Sequence, residues 1–310
     1  MSQAVNARRR TLLAAGTAGA AGLLLTALPG RATTAERRAM PQRVAVAGGA
    51  ITEVVYALGA DTMLIGTDTT STYPAPAQAL PKMGYQRALS AEGVLSLRPD
   101  LLLASADAGP PTTLQQIAAA GVRVVKLGER HDVQTVRDKI HGTAAALGLQ
   151  TRGNSLLQGF DSEWQSALAT VQRERRQFLA AVGNASPRVL FILSHSGTQA
   201  MVAGRDTAAD AMIRYAGAIN AMDGGFKGYK PLTAESAVAS APDILMISSE
   251  GLAAVGGIEH LLSTPGLALT PAAKNRRVIA SMDSLLLLGF GPRLPQALTQ
   301  LSTQLYAWLS

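Results

Sequence analysis

Tyr85 lies in Lys82-Met83-Gly84-Tyr85-Gln86-Arg87, a loop-like stretch that places a cation two residues after a phenol. A free phenol ionises near pH 10, so it becomes an anionic donor at neutral pH only beside a positive charge. A phenolate is a hard oxygen donor suited to ferric iron, and tyrosine is one of the side chains that hold haem iron. The four histidines (His131, His141, His195 and His260) form no H-x-x-x-H pair and no H-E-x-x-H, so zinc hydrolase chemistry has no local signature. A G-x-S-x-G nucleophile elbow is also missing. His195, in Ser194-His195-Ser196-Gly197, follows a buried-strand pattern, and loops at the C-terminal ends of strands are where ligands sit in α/β sheets. His131 and His141 read as surface residues on a helical segment and its cap. Gly48-Gly49 after a strand, with Asp68 further on, imitates a dinucleotide fingerprint, but the G-x-G-x-x-G spacing is absent.

The elements that must position these residues alternate. Arg43-Val44-Ala45-Val46-Ala47 reads as a buried strand and Ile51, Val54, Val55 and Leu58 as a helix. Met63-Leu64-Ile65, Leu101-Leu102-Leu103 and Val122-Arg123-Val124-Val125 read as further strands, with a helix running from a Ser90 cap to Leu97. Strands alternating with helices predict a largely parallel sheet covered on both faces. From about Thr151 to Ala181 the pattern changes, with Leu156, Phe160, Trp164, Leu168 and Val171 at three- or four-residue steps. A helix of that length spans roughly 40 Å, too long for one crossover, and reads as a strut between lobes. A second α/β series starts at Arg188-Val189-Leu190-Phe191-Ile192-Leu193.

An internal repeat supports two lobes. Leu89-Ser90-Ala91-Glu92 leads to Pro99-Asp100, and Leu232-Thr233-Ala234-Glu235 leads to Pro242-Asp243, six coincident positions without a gap. A tyrosine precedes each copy, Tyr85 and Tyr229. The expected fold is α/β, two similar lobes with mostly parallel sheets joined by one long helix, with a ligand cleft between them. The expected boundaries are a signal over 1–35, a first lobe over 36–150, a bridging helix over 151–182 and a second lobe over 183–310.

Arg8-Arg9-Arg10 ahead of a small apolar stretch and Pro29-Gly30-Arg31-Ala32 has the layout of an export signal, cleaved between Ala32 and Ala35. Consecutive arginines before a weakly apolar segment suggest the twin-arginine route, with an ordinary Sec signal as the alternative. The formal charge of +7 includes four arginines of this segment and no acid, so the remainder carries +3, too little for a nucleic-acid surface. With no cysteine, the exported chain has no disulfide, no lipid-modified cysteine and no thiolate for haem, and any metal must be held by O and N ligands. A soluble, monomeric periplasmic protein is expected.

Three stretches carry a family resemblance: Asp68-Thr69-Thr70-Ser71-Thr72-Tyr73-Pro74, the run from Gly84-Tyr85-Gln86-Arg87 through Pro99, and Asp283 through Arg293. The chain resembles the periplasmic haem-binding components of bacterial haem ABC transporters, over essentially its whole length beyond the signal. The resemblance implies that Tyr85 coordinates ferric haem iron and that Arg87 supports the phenolate. It also implies that Glu92 and Glu235 each meet arginines of an inner-membrane permease. His195, Lys227, Tyr229 and Lys230 carry over as second-lobe pocket residues, the last three in a basic-aromatic loop able to stack on a porphyrin or hold propionates. The reading is of a haem carrier and not an enzyme. A ferric-siderophore or cobalamin carrier, or more remotely a secreted hydrolase, is the alternative.

Overall fold

The first strand, β1 (Val44–Ala47), is apolar at every position and fully buried, as a strand covered on both faces must be. It pairs in parallel with β2 (Leu64–Thr67) and β3 (Leu101–Ser105), and β3 pairs with β4 (Arg123–Leu127), giving the order β2-β1-β3-β4. The computed structural model describes residues 40–128, 130–183, 186–194 and 200–307. The leader expected over 1–35 and His195 lie outside the described residues. Both lobes belong to one contact unit that begins at Met40.

The second lobe is built around β5 (Arg188–Leu193). The later strands are β6 (Met201–Ala203), β7 (Ile219–Asn220), β8 (Tyr229–Pro231), β9 (Ile244–Ile247) and β10 (Val278–Ile279). Their order is β10-β9-β5-β6-β8, with β7 also on β5. This sheet is mixed: β6 runs antiparallel to β5, and β8 antiparallel to β6. The short β5–β6 connection explains the difference, because a crossover to a parallel strand needs a dozen or more residues.

The sequence repeat has a structural cause that can be read residue by residue. Ser90 and Thr233 cap the helices Ala91–Leu95 and Ala234–Ser240, accepting from the Gly93 and Ser236 amides. Asp100 accepts from the Gln42 and Arg43 amides at 2.9 and 3.0 Å, and Asp243 from the Arg188 amide at 2.8 Å. Arg43 donates to the Leu97 and Arg98 carbonyls, and Arg188 to the Ser240 carbonyl. The residues before the two prolines, Arg98 and Ala241, both adopt positive φ (51° and 39°). Each lobe thus ties its first strand to the end of its capped helix by the same contacts.

Between the sheets runs the helix Gln150–Val182, 33 residues and about 50 Å long. It buries Phe160, Trp164, Ala167, Val171 and Phe178 on one face. The helices Val133–Leu147 and Leu294–Ala307 pack along it. It is therefore part of the core rather than a bare strut, and one apolar cluster runs through both lobes.

A second connection is ionic. Arg293 Nη2 lies 2.5 Å from Glu53 Oε1, with side-chain exposures of 16% and 4%. Its guanidinium stacks on the Tyr73 ring at 3.7 Å. Burial raises the Glu53 pKa, and the Arg293 contact opposes that shift. Removing one partner of such a pair leaves an uncompensated buried charge. Arg293→Ala should therefore cost about 3–5 kcal/mol in urea unfolding at neutral pH. A Glu53→Gln/Arg293→Met double variant should lose much less. A single-variant loss within experimental error would show that the pair does not hold the lobes.

Candidate functional site

The C-terminal ends of the first-lobe strands open onto a cavity of about 650 Å³ between the lobes. After β1 the chain turns at Gly48, where φ is 143°. Asp68, fully buried, holds this turn, accepting from the Gly48 amide at 3.0 Å, from the Thr70 amide and hydroxyl, and from the Ser71 hydroxyl. The glycines and the acid that imitate a nucleotide fingerprint are thus a loop brace. Gly49 tolerates no side chain: a Cβ there would sit 2.4 Å from the Thr70 carbonyl oxygen and 2.8 Å from Leu285 Cδ1.

Tyr85 precedes a short 3₁₀ turn, Gln86–Ala88, and its loop is fastened on both sides. The Gly84 carbonyl accepts from the Thr69 amide at 2.9 Å, the Gln86 carbonyl from the Gly109 amide at 2.9 Å, and Gln86 Oε1 from the Ser105 hydroxyl at 2.7 Å. The loop backbone is held while the phenol stays 43% exposed and lines the cavity. Its hydroxyl has no hydrogen-bond partner among the described residues. Arg87 also lines the cavity and pairs with Asp107 at 2.6 Å. The guanidinium interacts with the Tyr85 and Tyr229 phenols as well, so it lies close to both.

Of the second-lobe candidates, Tyr229 on β8 reaches the cavity. Burial raises its pKa, while its hydrogen bond with Thr207 and the nearby Arg87 work the other way. Lys227 and Lys230 are not among the residues lining the cavity. Lys227 is paired with Asp206 at 2.8 Å, and the Lys230 ammonium lies 5.0 Å from the centre of the Phe226 ring. The alternation of side chains along a strand explains the second case, since Tyr229 and Lys230 must point to opposite faces.

The cavity also contains residues that the sequence reading did not place there. His131, read as a surface residue, lines the wall next to Asp107. His141 is exposed, as expected. Lys139 lies on the helix Val133–Leu147 among the buried Val136, Ile140 and Thr143. A lysine in step with that apolar face was the available signal. Its ammonium crosses to the second lobe, donating to the Gly289 and Phe290 carbonyls at 2.9 and 3.1 Å. Leu285, Leu288 and Phe290 of the same segment form the apolar side of the cavity. A half-apolar cleft with a few convergent polar groups suits a small-molecule ligand. Among the described residues there is no cluster of histidine and acidic side chains able to hold a bare metal ion.

Two lobes carrying a ligand cleft define a solute-binding protein, and the comparisons agree. A family model described as "Periplasmic binding protein" matches residues 44–284. The chain belongs to this family. It is similar to the structure of the periplasmic heme-binding protein BhuT in complex with two hemes (57% identity, TM-score 0.79, covering 86% of this chain and 99% of that one). It is also similar to apo RhuT of Roseiflexus sp. RS-1, a periplasmic heme-binding protein (42% identity, TM-score 0.81, covering 87% and 99%). A vitamin B12-binding protein of Pectobacterium atrosepticum is 26% identical over 210 residues, 67% of this chain and 72% of that one.

Burial lowers the Lys139 pKa to about 8 from 10.5. Below pH 8 the amine is charged in both folded and unfolded chains, so the full desolvation cost applies. Between about 8 and 10.5 the folded chain has already released the proton that the unfolded chain still binds. Stability should therefore rise with pH there, by at most about 1.4 kcal/mol per unit. Measured against Lys139→Met, which cannot titrate, wild-type stability should gain between pH 7.5 and 10. A difference that stays flat would contradict the charged, buried amine.

Proposed function

We infer that this chain is a periplasmic haem carrier that holds ferric haem in the interlobe cleft and hands it to an inner-membrane ABC importer. The observation that carries the reading is the Tyr85 phenol. It lies on a fastened backbone, lines the cavity with a hydroxyl that has no partner among the described residues, and has the Arg87 guanidinium near it. Those are the requirements for a phenolate ligand to ferric iron. Similarity over nearly the whole chain to two heme-binding proteins, at 57% and 42% identity, supports haem over the cobalamin suggested by the 26% relative. Tyr229 supplies the second-lobe aromatic surface. No role in holding haem is assigned to Lys227 or Lys230. Residues 1–35 act as the export signal, in keeping with the family match beginning at Val44.

Delivery assigns a role to the two repeated glutamates. Most of the repeated positions serve as caps, stops or braces within their lobe, but Glu92 and Glu235 are exposed and make no ion pair among the described residues. A carboxylate in the first turn gains about 0.3–1 kcal/mol from the helix dipole, which accounts for an acid at either site but not for the matched pair. Matched acids on two lobe tips can meet matched basic residues of a two-fold permease, setting register and encounter rate.

Hemin titration followed by absorbance tests the first half. Tyr85→Ala should lose at least tenfold in affinity, about 1.4 kcal/mol or more, with an unchanged thermal melt. Unchanged binding would remove Tyr85 from the site. Glu92→Ala and Glu235→Ala should keep haem affinity and lower transport into permease-bearing vesicles, the double variant most. Normal transport by the double variant would end the docking role.

A further inference from the structure

Among the cleft side chains that coordination through Tyr85 leaves unused are His131 and Glu250, on the two lobes. His131 follows β4, on the first-lobe wall that also carries Tyr85, Arg87 and Asp107. Its ring rests against Phe290, with centroids 5.9 Å apart and planes at 57°, while the residue keeps part of its surface in solvent. Neither ring nitrogen has a hydrogen-bond partner among the described residues. Burial lowers its pKa, with Lys139 and Arg87 adding to the shift and Asp107 and Asp132 opposing it. A neutral imidazole keeps one N–H donor on this wall residue. Asp107 on the same wall is already engaged by Arg87 at 2.6 Å.

The opposite wall has the other sign. Glu250 stands in the first turn of the helix Ser249–Ala254. Its carboxylate is held by the Ser284 amide at 3.1 Å and the Ser284 hydroxyl at 3.2 Å. A carboxylate fixed this way stays in place and repels another. Haem is an apolar disc with two propionate carboxylates on one edge, so two walls of unlike character present it with unequal choices.

We propose that the cleft reads haem by its carboxylate edge, with the propionates placed at His131 and Arg87 and turned away from the second wall by Glu250. The inference rests on the haem reading and adds to it a direction of insertion and a preference for tetrapyrroles with free carboxylates.

Hemin and its dimethyl ester, which keeps the iron and masks both propionates, separate the two ideas when titrated into the same proteins. Wild type should bind hemin about tenfold more tightly than the ester, the scale of one hydrogen bond to a charged group. His131→Ala should lose that preference by weakening hemin alone, and His131→Gln, which restores an N–H donor, should recover most of it. Glu250→Gln should leave the ester unchanged and should not weaken hemin, because only the free propionates meet the carboxylate's repulsion. Tyr85→Ala should weaken both compounds alike. Circular dichroism melts of each variant establish that it is folded. Equal binding of hemin and ester by wild type, or equal weakening of both by His131→Ala, would overturn the inference and leave the haem reading standing. A protein that binds neither compound overturns both.

Discussion

The buried contact between Glu53 and Arg293 sets the geometry on which the rest depends. A site assembled from two lobes is no more defined than the relation between them, and here a buried ion pair joins them. Arg293 reaches from the second lobe to a first-lobe carboxylate and is clamped from above by the Tyr73 ring. Within the same 283–293 segment, Gly289 and Phe290 receive the Lys139 ammonium, and Leu285 presses on Gly49. One stretch of chain thus joins the lobes and lines the cavity. With the walls held, Arg87 stands close to both Tyr85 and Tyr229.

Two connections between the lobes suit a carrier. The long helix and the 283–293 segment both join the lobes, and they set the span between the two lobe tips. In the proposed reading a permease recognises Glu92 and Glu235 at that span, and affinity for cargo resides in a few side chains on the cleft walls. Capture and docking then rest on separate residues, and substitutions at one need not disturb the other.

Much of this was legible in the sequence because it is local or repeated. The Ser90 and Thr233 caps, the proline stops and the Asp100 and Asp243 braces recur at one offset, since each lobe solves the same problem of tying a strand to a helix. Tyr85 and Arg87 stood out because a phenol and a cation two residues apart have a chemistry together. The rest depends on contacts between residues far apart in sequence. Nothing near Lys139 says that its amine ends on carbonyls 150 residues away, or that Glu53 meets Arg293. His131 is exposed, as its polar neighbours suggested, and only the arrangement of β4 beside β3 brings it to the cleft wall. Lys227 and Lys230 read as pocket residues from composition alone; neither lines the cavity, and Lys227 pairs with Asp206.

The central claim is that a first-lobe phenolate binds iron. It is tested most directly by the absorption and resonance Raman spectra of the ferric haem complex of wild type beside Tyr85→Phe, which removes one oxygen and keeps the ring. Wild type should show iron–phenolate bands that Tyr85→Phe lacks. Identical spectra for the two proteins would contradict the account.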